Sequence, residues 1–225
     1  MSDITGSKIQ QALEFAYEKA ITTGIPGLGS AIDMAESCKE RYPGDLIMQA
    51  DELIKRQIAK SAASGFVTGL GGFVTLPVAI PANLVSVLYI QIKMAAAIAH
   101  LAGHDVKNDK VKTLVFASIL GDRVKDILKE SGVDVAAEFV IQKMVSGFTV
   151  DTMLRVTRVV GYRLAAQFGV KGPGKLVPLL GGVIGGVIDA VWTKTVGRTA
   201  KRIFIDGRIP DDKVRPELTN DKDPA

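Results

Sequence analysis

At 225 residues the chain can bury a substantial core as a single domain, and 47% hydrophobic with 23% charged residues give a mean hydropathy of +0.23, high for a protein that keeps this much charge. The net charge of +4 conceals a basic C-terminal half, because Lys143 to Arg202 hold ten basic residues against two acids, Asp151 and Asp189. A single cysteine, Cys38, excludes an internal disulfide, and the polar opening MSDITGSKIQQALE lacks the basic and apolar regions of a signal peptide, so a cytoplasmic location is expected.

Ile9, Ala12, Leu13, Ala16, Ala20 and Ile21 recur at helical spacing after Ser7, a candidate N-cap, and Gly24, Pro26 and Gly27 stop that first helix. A second helix is expected from Ser30 to Arg41. Pro43, Gly44 and Asp45 then turn the chain, with Asp45 capping a third helix through Leu46, Leu53 and Ile58. Ser61 to Ile92 carries no charged side chain; its glycines, with Pro77 and Pro81 four apart, forbid one uninterrupted helix and predict a long buried helix from about Pro81 to about Leu101. Asn108 or Asp109 caps the next helix, which Ser131 and Gly132 end directly or after a continuation. Helices are expected from about Asp134 to Val145, from about Val150 to Phe168, and from Leu176 to about Phe204. Alternating apolar and polar runs between hairpin turns are missing. The fold expected is an all-α bundle of about seven to eight helices over residues 1–205, followed by a polar, flexible tail at 206–225.

No motif for chemistry survives inspection. Gly169 to Leu176 places glycine and lysine as a phosphate-binding loop does, but Leu176 stands where a Ser or Thr must ligate Mg²⁺. Gly69 to Phe73 lacks the third glycine of a dinucleotide fingerprint. His100 and His104 have the spacing of shared metal ligands, yet Gly103 between them predicts a helix end and a capped turn. Cys38 sits in a charged amphipathic helix, and no serine elbow is visible. Asp189 and Asn83, polar residues in apolar surroundings, are expected to be hydrogen-bonded structural groups. No catalytic residue, cofactor or metal site is assigned, and the protein is expected not to be an enzyme.

Glycine supplies a clearer signal. Gly181, Gly182, Gly185 and Gly186 strip one helix face of side chains and favour close helix contact, within the chain, between molecules or inside a membrane. Leu176 to Val191 is sixteen residues, short of the roughly twenty that a span requires. Phe66, Gly69, Gly71, Gly72, Phe73, Pro77 and Pro81 mark the other apolar segment as a packing element or a shallow membrane wedge. Asn83, Gln91 and Lys93 lie within it, and a central lysine costs about 2.5–3.5 kcal/mol on insertion. Arg155, Arg158 and Arg163, interleaved with Met153, Val156 and Tyr162, form with Lys194, Arg198, Lys201 and Arg202 a candidate surface for anionic lipid headgroups. No recognition helix or stacking motif points to nucleic acid.

Four blocks, IPGLGSAID at Ile25, SGFVTGLGGFVTLPVAIPANL at Ser61, IKMAAAIAHLAGHD at Ile92 and KLVPLLGGVIGGVIDAVWTK at Lys175, together resemble the EcsC family of bacterial proteins. The resemblance covers about Ile25 to Phe204. It implies a fold and a membrane-linked context, since the founding member is encoded beside an ABC transporter implicated in secretion, and it implies no reaction. The expectation is a non-enzymatic helical protein at the cytoplasmic face of the membrane, with anionic lipids or a membrane protein as partner. The alternative is a soluble helical interaction module or binder of an apolar ligand, and homo-oligomers suit either.

Overall fold

The computed structural model describes residues 6–22, 29–62, 82–133, 135, 146–169 and 182–210. These form eight α-helices and no strand: α1 Gly6–Ile21, α2 Ala31–Arg41, α3 Leu46–Ala62, α4 Ala82–Leu101, α5 Asp109–Ser118, α6 Val124–Glu130, α7 Val150–Gly169 and α8 Gly182–Phe204. The protein is an all-α bundle. Ser7, expected as an N-cap, lies inside the first turn of α1. The helix expected over 134–145 lies outside the described residues, as does the apolar stretch before α4.

Local chemistry explains most helix ends. Ser30 caps α2 reciprocally: its Oγ accepts from the Asp33 amide at 3.1 Å, and Asp33 Oδ2 accepts from the Ser30 amide at 2.8 Å. Asp45 Oδ1 accepts from the Met48 amide at 2.9 Å to open α3, and Asn108 Oδ1 accepts from the Lys110 amide at 2.9 Å to open α5. At the end of α4, Gly103 takes φ 82°, and the amides of Gly103 and His104 reach back to the carbonyls of His100 and Ala99. The capped turn expected there is present. Between α5 and α6 the chain tightens into a 3-10 turn, Gly121–Arg123, which Gly121 enters at φ 64° with Thr195 of α8 close against it.

Helix α4 occupies the centre because its apolar residues are spread around the helix and not gathered on one face. Its side chains at Ile92, Met94 and Ala95 through Ala99 are fully buried, and α1, α2, α3, α5 and α8 all pack against it. From Val87 to Ala99, therefore, the apolar segment is core. Lys93 fits this interior by donating from Nζ to the Gly29 carbonyl at 2.7 Å, and Gln91 Nε2 donates to Thr193 Oγ1 of α8 at 2.8 Å. After α8, the described part of the tail stays on the bundle: Ile209 packs against the core and Pro210 is buried.

A candidate basic and apolar surface on the C-terminal helices

The candidate basic residues lie on α7 and α8, which have different principal neighbours. α7 packs on α1, α5 and α6, whereas α8 packs on α3, α4, α5 and the 3-10 turn. In α7 the core-facing stripe is Val156, Val160, Leu164 and Ala165, all buried. Of the residues expected to alternate with the arginines, Val156 and Met153 turn to the core and only Tyr162 faces out. Spacing alone does not single out Val150 and Leu154, which are 69% and 58% exposed, with Tyr162 at 61%. Leu154, Arg158 and Tyr162 follow one another at i, i+4 and i+8, so a cation sits between two large exposed apolar side chains.

The seven predicted basic residues divide by their partners. Arg155 pairs with Asp151 at 2.7 Å, Arg163 with Glu130 at 2.6 Å, Lys201 with Asp51 at 2.6 Å and Arg202 with Asp122 at 3.7 Å. Arg158, Lys194 and Arg198 are exposed and have no acidic partner among the described residues. Beside the last two, Val191 of α8 is 60% exposed, so α8 repeats the α7 pattern of an outward aliphatic next to unpaired cations.

The other predicted positions are placed less fully. Phe66, Gly69, Gly71, Gly72, Phe73, Pro77, Pro81 and Gly181 lie outside the described residues. Gly182, Gly185 and Gly186 lie in the first turns of α8, and their surroundings, like the side chains of Asn83 and Asp189, are also outside. Close helix approach is instead visible at Gly161 and Gly197: a Cβ on Gly161 would stand 2.8 Å from the Gly6 carbonyl oxygen, and one on Gly197 2.7 Å from Ile54 Cγ1.

Groups with chemical potential are engaged structurally. His100 Nε2 lies 2.8 Å from Glu36 Oε1, while His104 Nε2 donates to the Phe204 carbonyl at 3.1 Å, so the two rings serve different partners. Cys38 is buried, and burial pushes its thiol up, away from the thiolate form. Among the described residues no group of His, Cys, Asp and Glu could hold a metal ion, and no helix is long and apolar enough to cross a membrane.

No curated protein and no solved structure matches the chain. The model of the EcsC protein family matches residues 1–205, which takes in every described helix from α1 to α8. The chain belongs to the EcsC protein family.

Proposed function

We propose that this protein is a non-enzymatic, peripheral component of the cytoplasmic face of the membrane, docking on anionic lipid through the outer face of α7 with the Val191–Lys194–Arg198 side of α8 as a second contact. The observation that carries this reading is the exposure of Val150, Leu154 and Tyr162 around Arg158. An interfacial helix needs both ingredients. Each basic residue near an anionic surface contributes about 1 kcal/mol, and burying a leucine fully contributes roughly 1.5–3 kcal/mol. Neither alone offsets the cost of association, so the apolar and basic residues must act together.

Helix α4 spends its apolar residues on the core, so the proposed contact rests on α7 and not on that segment. The membrane-linked context implied by the EcsC resemblance, a transporter or secretion process, suits a peripheral partner. The central filling of the bundle by α4 makes the apolar-ligand alternative the less favoured one.

The test is flotation of the purified chain with phosphatidylglycerol-containing vesicles. Binding is expected at low salt, with a fall of at least about five-fold at roughly 0.5 M salt and a comparable loss for Leu154→Glu and Arg158→Glu. Absence of flotation at low salt overturns the proposal. Flotation that both variants retain in full removes α7 from it.

A further inference from the structure

Two sequence blocks far apart in the chain meet away from the α7 surface. The first, around Gly29 to Asp33, enters α2, and the second begins α4's buried half at Ile92. Gly29 takes φ 64°, which turns its carbonyl to Lys93 Nζ at 2.7 Å. Beside this junction a cleft of about 250 Å³ opens between α2, α3 and α4, lined by Asp33, Met34, Ser37, Leu53, Arg56, Gln57 and Lys93. Its floor is Leu53, Gln57 and Lys93, which are 1%, 6% and 8% exposed.

Among the described residues that line this cleft, Arg56 and Lys93 are cationic and Asp33 is the acid. Arg56 is half-buried, and its guanidinium has no hydrogen bond or ion pair among the described residues. Glu52, its neighbour on α3, is taken by Lys55 at 3.2 Å. Asp33 is already committed: Ser30's amide holds its Oδ2 at 2.8 Å as part of the α2 cap. The Gln57 amide donates to Met34 Sδ at 3.0 Å, a weak acceptor that a stronger one would displace. Among the described residues, a forked guanidinium with unused donors, an ammonium held by the Gly29 carbonyl, a displaceable amide and the Ser37 hydroxyl thus line one small space beside the capped Asp33 carboxylate.

We infer that the cleft between α2, α3 and α4 is a binding site for a small phosphate-class oxyanion, held by Arg56 with Lys93, Gln57 and Ser37 around it. Arg56 supplies a bidentate contact, and Lys93 supplies charge from within the bundle. The inference is independent of the α7 surface. The phosphate can belong to a soluble monoester or to a lipid headgroup, and both present the same oxygens.

The experiment is titration calorimetry of the full chain with glycerol 3-phosphate against sodium chloride of equal ionic strength. Wild-type protein is expected to bind the phosphate monoester and not chloride. Arg56→Gln, at a side chain with no hydrogen bond or ion pair among the described residues, is expected to weaken binding about ten-fold or more without moving the melting temperature, whereas Arg56→Lys recovers part of the loss. Lys107→Gln, at an exposed lysine outside the cleft, leaves binding unchanged. Competition by phosphatidic acid vesicles, lost in Arg56→Gln, identifies a headgroup source, and absence of competition identifies a soluble one. Wild-type heat that chloride reproduces, or equal affinity in Arg56→Gln, overturns the inference.

Discussion

At Gly161 the helices α1 and α7 approach so closely that only hydrogen fits between them. The obstructing atom on the far side is the Gly6 carbonyl oxygen, 2.8 Å from where a methyl group would stand, with Gln10 Cγ at the same distance. Backbone cannot rotate aside as a side chain can. Gly6 differs, because the atoms facing it are Cδ1, Cε1 and Cγ of the largely exposed Tyr162 side chain and not backbone. Gly161→Ala should gain about 1 kcal/mol of helix propensity and lose more to overpacking, for a net destabilisation of about 1–2 kcal/mol in urea unfolding. An unchanged or higher unfolding midpoint would mean that α1 slides along α7 without penalty.

Helix by helix, the chain is legible wherever a boundary has a local cause. Ser30, Asp45 and Asn108 announce their helices because a capping oxygen needs only the next three residues, and Gly103 ends α4 because the left-handed turn favours glycine. The break at Gly121 is not legible, since what accompanies its positive φ is Thr195, which lies in α8. The same distinction divides the candidate surface. Composition and spacing identify the basic residues, but the acids that neutralise Arg163, Lys201 and Arg202, namely Glu130, Asp51 and Asp122, come from other elements and are visible only after folding. Nor can the period of α7 alone show that Leu154 faces water while Val156 faces the core. The reciprocal cap of α2 offers a test of the local part: Ser30→Ala should cost about 1 kcal/mol and lower the melting temperature by about 2–4 °C, with Ser30→Asp recovering most of it. A melting curve that Ser30→Ala does not shift would show that packing against α4 holds α2 without its cap.

Across the whole molecule, α1 is fastened to the turn before α5 and to α5 itself by groups that respond to alkali. Tyr17 is 5% exposed, stacks edge-on against Phe116 with centroids 5.5 Å apart, and donates to the Val106 carbonyl at 2.7 Å. Burial, then the negative charges of Asp105, Asp109 and Glu14, pushes its phenol well above the usual tyrosine range. Nearby, Lys112 of α5 bridges Asp109 at 2.8 Å and Glu14 of α1 at 3.2 Å. Burial alone would lower Lys112, but the two carboxylates outweigh it and hold its ammonium above the ordinary value. Both groups keep their protons more tightly folded than unfolded. Their stabilisation is therefore complete below the unfolded values, near pH 10 for tyrosine and lysine alike, and is lost as pH rises through the higher folded values. Unfolding free energy should accordingly be insensitive to these two groups up to about pH 9 and fall above about pH 10, each group adding at most about 1.4 kcal/mol per pH unit. Tyr17→Phe removes one of the two, so its stability curve should begin lower, by roughly 1–3 kcal/mol for the orphaned Val106 carbonyl, yet descend less steeply between about pH 10 and 11.5 in urea titrations. A variant curve parallel to the wild type across that interval would show that the α1 seam does not feel the Tyr17 proton, and would leave Lys112 as the group to replace next.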